Sequence, residues 1–244
     1  MTNLSKKFLL VIMLLPALLV EKAYGQGFIG ISVNYGDALT FTPRYADLLL
    51  ERKSVSPTLV YTYQKIFASN FTVVAGGQAG VAGYQLVPEL YHSTSQTKER
   101  YPFVDYGIFV SRVEATPGWV FSLGRQQLFV GVGGGLSYYL AFPYTTMSVF
   151  GEDQGAFVEL FSAYAEAPDA GTVSGFAKVY VKIAISHRWE AALQYAQHFK
   201  PILRGQFEFA PMSTPVTGSL ELTPKGLSLI LLYRLKKEAK SGGK

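Results

Sequence analysis

The sequence predicts an all-β chain: an eight-stranded antiparallel up-and-down transmembrane β-barrel with short periplasmic turns and four long outer loops. Three observations predict it. The first is period-two alternation, best seen in Ser122–Tyr139 and its continuation to Leu140. A short turn, Ser122-Leu123-Gly124-Arg125-Gln126, leads into a run with Leu128, Val130, Val132, Leu136, Tyr138 and Leu140 on one face. The opposite face carries Phe129, Gly131, Gly133, Gly135, Ser137 and Tyr139. A large apolar face opposite a small or polar one suits a barrel wall with lipid outside and a packed interior. The second is strict alternation of long and short connections. Gly36–Pro57, Val87–Phe103, Pro143–Thr172 and Pro201–Pro224 are long, whereas those after the second, fourth and sixth strands are short. Membrane barrels show this asymmetry, with long loops on the outer side. The third is composition. Charged residues make up only 16% against 49% apolar, with 24 Gly, 16 Tyr and 17 Phe. Soluble proteins carry about 25% charge, and this aromatic and glycine content favours strands and tight turns over helices.

The strands follow in order. Gly27–Tyr35 sets Ile29, Ile31, Val33 and Tyr35 against Gly30, Ser32 and Asn34. Thr58–Phe67 sets Leu59, Tyr61 and Tyr63 against Thr62 and Gln64, and Ala68-Ser69-Asn70 turns the chain. Phe71–Leu86 is rich in Gly and Ala. Val104–Phe121 is interrupted at Pro117-Gly118, where a bulge is expected. Gln127–Phe142 is fifth. Val173–Ser186 alternates Val173, Ala177, Val179, Val181, Ile183 and Ile185 with Ser174, Phe176, Lys178, Tyr180, Lys182 and Ser186. After a turn at His187-Arg188, Trp189–Lys200 opposes Trp189, Ala191, Leu193, Tyr195 and Phe199 to Glu190, Gln194, His198 and Lys200. Lys225–Leu235 sends Leu227, Leu229, Leu231, Tyr233 and Leu235 outward. These runs reach the 9–11 residues a tilted strand needs to cross a bilayer. Tyr61, Tyr63, Trp119, Phe121, Phe142, Trp189, Phe199 and Tyr233 lie near strand ends, as interfacial girdles require.

Residues 1–25 read as a cleaved signal peptide, 26–235 as the outer-membrane β-barrel and 236–244 as a polar basic C-terminal tail. Lys6 and Lys7 precede the apolar run Phe8–Val20, and Ala23-Tyr24-Gly25 supplies small residues for cleavage before Gln26. The run is shorter than the roughly 20 apolar residues of a helical membrane span. The leader contains Lys6, Lys7, Lys22 and Glu21, so 19 of 22 basic and 16 of 17 acidic residues remain, a net of about +3. That charge is too mild to argue for nucleic acid, and no basic stripe with interleaved aromatics is present. The chain has no cysteine, which removes disulfides, thiolate metal sites and thiol nucleophiles.

The leader, the rhythm and the apolar last strand resemble the small outer-membrane β-barrel proteins of Gram-negative bacteria. Gly27-Phe28-Ile29-Gly30-Ile31-Ser32-Val33-Asn34-Tyr35 resembles the first strand of a broad barrel family common in Bacteroidetes, as does Gln26 directly after the cleavage point. The resemblance implies residence in the bacterial outer membrane. Members often end on an aromatic residue, whereas here Tyr233-Arg234-Leu235 is followed by Lys236–Lys244.

Candidate chemistry is sparse. Arg112, Glu114, Lys178, Lys182, Glu190 and Arg234 fall on faces assigned to the lumen. Eight strands leave an interior just wide enough for side chains, so a salt-bridged plug is expected. A selective polar pore or pocket is the functional counterpart, and the excess of cations would favour anions. The third long loop carries Glu152, Asp153, Glu159, Glu166 and Asp169 without Lys or Arg. Within it, Gly155–Ala167 suits an amphipathic helix through Phe157, Leu160, Phe161 and Tyr164. Glu152, Asp153, Phe157, Glu159 and Phe161 are the candidate outer contact, since long loops often carry function. Of the histidines His92, His187 and His198, only His198 invites a catalytic pairing, with Glu208 or Ser93, and no spacing supports one. No motif points to a catalytic residue, metal or cofactor. The sequence thus points to a non-enzymatic, monomeric outer-membrane protein. It contacts membrane lipid and no nucleic acid, with a structural role or an envelope protein partner at its outer loops. A narrow channel or small-solute or lipophile transporter and a lipid-modifying enzyme are the alternatives. A soluble lipocalin-like barrel would need polar outer faces, which the fifth, sixth and eighth strands lack.

Overall fold

The computed structural model describes residues 25–36, 39–42, 49–52, 54–92, 97–100, 105–124, 126–140, 144–153, 156–166, 171–209 and 216–235. The expected leader up to residue 24 and the tail Lys236–Lys244 lie outside them, as do Ser93, Phe142 and Asp169. The strands are β1 (Gln26–Gly36), β2 (Leu39–Thr42), β3 (Leu49–Arg52), β4 (Ser54–Ile66), β5 (Phe71–His92), β6 (Thr97–Arg100), β7 (Asp105–Leu123) and β8 (Gln126–Leu140). They continue with β9 (Tyr144–Asp153), β10 (Ala156–Glu166), β11 (Thr172–Ala184), β12 (Trp189–His198), β13 (Leu203–Phe209), β14 (Val216–Leu222) and β15 (Lys225–Arg234).

Eight of these close a ring. The antiparallel order is β1-β4-β5-β7-β8-β11-β12-β15, and β15 returns to β1 from Phe28↔Arg234 to Tyr35↔Leu227. Closure leaves every wall strand paired on both edges, the condition for crossing hydrocarbon in strands. The three short connections are where the turn residues place them. Ser69 and Asn70 both take φ 60°, and Gly124 takes φ 62° with open space around it. In the β11–β12 turn, Ser186 Oγ accepts hydrogen bonds from the Arg188 and Trp189 backbone amides.

The alternation sorts the wall into two faces. Ile29, Ile31, Leu59, Trp119, Val132, Leu136, Val179, Leu193, Leu229 and Leu231 stand exposed on the outside. Phe28, Val60, Val74, Val120, Phe129, Tyr180, Ala192, Ile230 and Leu232 pack inside. The Phe129 ring takes the space that side chains at Gly118 and Gly131 would occupy, 2.8 Å from where either Cβ would stand.

Three expectations are corrected. Pro117-Gly118 makes no bulge: β7 keeps one register against β5 through Thr72↔Gly118 and Val73↔Pro117. Against β8 the ladder skips Thr116 and Pro117 and resumes at Gly118↔Gly131 in the register of Ala115↔Gly134. A missing proline N–H interrupts pairing locally without adding a residue. Second, the long connections, expected as loops, carry strands in their described residues. β2, β14, β13, β10 and β9 form a separate five-stranded antiparallel sheet, and β3 and β6 extend pairing along β5. Third, the described part of the expected helix Gly155–Ala167 is not helical. Ala156–Glu166 is strand β10, hairpinned to β9, with a register shift between Glu159 and Phe161. Around that irregularity Leu160 and Phe161 are both buried. The phase slip leaves Phe157, Leu160, Phe161 and Tyr164 at helix-like spacing inside a strand.

Candidate functional site

The lumen is built in layers, starting from the short-turn end. There Glu190 sits between Lys182 (2.5 Å) and Arg234 (2.7 Å). Lys182 also hydrogen-bonds Gln64, and its Nζ lies 4.3 Å from the centre of the Phe28 ring. An apolar layer follows, with Phe129 edge-on to Tyr180 at 5.9 Å between Val60, Val74, Ala192 and Ile230. Above it Glu114 pairs with Lys178 at 2.6 Å, and Lys178 donates to Gln194 Oε1 at 3.3 Å. These two partners come from β7 and β11, which are separated by β8. They meet because β8 carries glycine at that height: Glu114 stands opposite Gly135 and Lys178 opposite Gly133.

Among the described residues the uppermost layer has no carboxylate. Arg112 Nε donates to Ser137 Oγ at 3.2 Å, and its guanidinium lies 4.6 Å over the Phe176 ring. His198 Nδ1 lies 2.9 Å from the Pro224 carbonyl, so that nitrogen carries the proton and donates. Nε2 then accepts from the Tyr139 hydroxyl at 2.8 Å and faces Ser137 Oγ at 3.0 Å. Asn34 Oδ1 accepts from Ser228 Oγ at 2.6 Å and from Ser32 Oγ at 3.2 Å.

Over this end the outer sheet folds down. Phe161, Ala163, Ala165, Leu203, Phe207, Phe209, Leu220 and Leu222 of its inner face join Ile108, Val110 and Tyr139 of the wall in one apolar cluster. Its other face is polar, with Thr146, Ser148, Gln206, Glu208, Thr217 and Ser219 exposed. A sheet buried on one side shows this alternation. β13 pairs with β10 only from Phe161 to Glu166, so the tip of the β9–β10 hairpin runs on beyond that contact. On the tip Phe150 and Phe157 stack at 5.9 Å with 13° between planes, although they are 52% and 76% exposed.

The six charges assigned to the lumen therefore fall into three groups: Glu190 with Lys182 and Arg234, Glu114 with Lys178, and Arg112 alone among hydroxyls and rings. Of the outer contact candidates, Phe157 is on the surface and Glu159 is half-buried beside it. Phe161 is fully buried and cannot touch a partner. Glu152 and Asp153 lie on β9 at the same tip, opposite Phe157 and Ala156. The pairing of His198 with Glu208 does not form, because Glu208 is on the polar face of the outer sheet. The neighbours of His198 Nε2 are instead Ser137 and Tyr139. Their inward parity on β8 was visible, but the height at which β12 meets β8 across β11 was not. Ser137 is fully buried, and two hydroxyls compete for one imidazole nitrogen. Among the described residues no group of three or more His, Cys, Asp or Glu is placed to hold a metal.

No protein-family model matches the chain, and no curated protein matches it in sequence. Solved structures do. The outer membrane protein OprG from Pseudomonas aeruginosa is 10% identical, with 88% of this chain and 98% of that one covered at a TM-score of 0.42. A major outer membrane protein from Thermus thermophilus is 9% identical, with 87% and 100% covered at 0.40. The outer membrane protein AlkL, solved in DMPC bilayers, is 18% identical, with 90% and 94% covered at 0.36.

Proposed function

We propose that this chain is a non-enzymatic integral barrel of the Gram-negative outer membrane, exported by its leader. In this reading it contacts a protein partner through the tip of its outer sheet. The observation that carries the membrane assignment is the inside-out wall, apolar outside and charged within. Along β12 the belt runs from Trp189 to Phe199, the residue just past the strand's end, both exposed. Ten residue-to-residue steps of about 3.3 Å, tilted by about 40°, rise about 25 Å, the height of a barrel's apolar band. At the short-turn end an aromatic girdle is built from contacts: Trp189 meets Tyr233 at 5.1 Å, Phe71 meets Trp119 at 5.6 Å and Phe67 at 5.9 Å. The Bacteroidetes-type first strand belongs to the same reading.

The plug favours this role over a channel. The packed Phe129–Tyr180 cluster stands between two ion-paired layers, so an ion moving along the axis would have to pass buried rings and two sets of paired charges. The partner role is supported by the exposed Phe150–Phe157 stack on a projecting hairpin. Aromatic residues, Phe among them, are enriched at the cores of protein interfaces relative to the rest of the surface. A photo-crosslinker placed at Phe157 in intact cells is expected to give one discrete adduct. Phe150→Ser should abolish it while the barrel stays inserted. A crosslinker that labels only lipid, or nothing, would remove the partner role and leave a purely structural barrel.

A further inference from the structure

We propose that the outer end of the lumen is a binding site for a small carboxylate, gripped by the Arg112 guanidinium. Each of the other three lumen cations has a carboxylate: Lys178 has Glu114, and Lys182 and Arg234 share Glu190. Arg112 has none among the described residues. It is fixed by Ser137 Oγ on Nε and by the Phe176 face beneath it, an arrangement that orients the planar fork without neutralising it.

Arg112 lines a cavity of about 70 Å³. One water needs about 10–15 Å³ of such space, so there is room for a carboxylate and a short stem. No Asp or Glu contributes to the lining, which includes His198, Tyr139, Asn34 and Ser228. Two of these are already committed. His198 holds its one N–H on the Pro224 carbonyl, and Asn34 Nδ2 donates to the Ser56 carbonyl at 3.0 Å and to Thr58 Oγ1 at 3.4 Å. The cation therefore decides the character of the cavity. Its lining extends to the β1–β15 pairing at Tyr35 and Leu227 and includes the exposed Lys225, a second cation in position to draw an anion toward it. A monovalent carboxylate matches the fork in charge and planarity.

The site is independent of the hairpin tip and does not require a partner there. The test uses the full mature chain refolded in neutral maltoside micelles, with folding verified by heat-dependent gel mobility. Acetate is titrated at constant ionic strength against chloride while the Arg112 Nε–H signal is followed by NMR. A saturable shift with acetate and none with chloride is expected. Arg112→Lys should weaken acetate binding by about tenfold or more, the loss of one of two charge-assisted hydrogen bonds. Arg204→Gln, on the exposed outer sheet, should leave it unchanged. The unfolding midpoint should rise with acetate in the wild type and not in Arg112→Gln. No saturable shift in the wild type, equal saturation by chloride, or an undiminished response in Arg112→Lys would each overturn the proposal.

Discussion

Glu114 and Lys178 form a pair with side chains almost wholly withdrawn from solvent, 1% exposed for the lysine and 4% for the glutamate. Removing one member of such a pair leaves an uncompensated buried charge, which costs about 3–5 kcal/mol, whereas removing both is often neutral. Lys178→Met is therefore expected to lower the denaturant midpoint for unfolding in lipid vesicles, and Glu114→Gln combined with Lys178→Met to restore most of it. If the double variant is as unstable as the single ones, the two residues are not acting as a pair. At the tip the expectation reverses. Phe157→Ala removes an exposed ring and should change stability by less than about 0.5 kcal/mol. Phe161→Ala, four residues on and fully buried, should cost the outer sheet about 3–5 kcal/mol. Limited proteolysis reads the difference: only the Phe161 variant should be cut within β9 and β10 while the wall stays intact.

Among the elements, β8 has the widest reach. Its inward Gly133 and Gly135 leave the gap across which β7 and β11 exchange their ion pair. A Cβ at Gly135 would collide with the Val113 carbonyl and come within 2.8 Å of the Glu114 Cα. Gly135→Val should therefore push β7 from β8 and slow or prevent closure of the barrel, detected as loss of the heat-shifted gel band. Gly134→Ala is a demanding control. Its Cβ meets the Phe176 carbonyl from the lipid-facing parity, away from the ion pair. It should leave the Glu114–Lys178 contact in place even if pairing with β11 loosens. β10 teaches a different lesson. Its side chains follow period two on either side of the Glu159/Phe161 irregularity, and the slip alone made a strand read as a helix.

At the scale of the whole molecule, the belt and the plug predict opposite sensitivities on the two sides of one wall. Leu229→Arg places a cation on the outer face of β15, where a charge at mid-depth costs about 2–4 kcal/mol. Membrane insertion from urea should fall accordingly, while Ser228→Ala, facing inward one residue away, should leave it intact. In planar bilayers the wild type is expected to give no ion conductance, because the Phe129–Tyr180 layer separates the two charged layers. Steady single-channel currents would require that layer to open and would revive the channel reading.

The period-two pattern and the turn residues together determined the eight wall strands and their three short turns, and the pattern set the faces of the strands other than the Gly- and Ala-rich Phe71–Leu86. It could do so because side-chain direction in a strand depends only on residue parity, and a wall with an apolar outer face and a filled interior keeps that parity along each strand. The tertiary structure decided what parity does not contain. Which lumen charges meet depends on strand tilt and register summed around the ring, so Arg112 was indistinguishable in sequence from the paired Lys178 and Lys182. The outer sheet was hidden for a related reason. Its strands are short, they pair across gaps of up to about 180 residues, as Leu39 with Leu222, and one carries a phase slip. Such contacts exist only once the barrel has closed and brought the loop ends together.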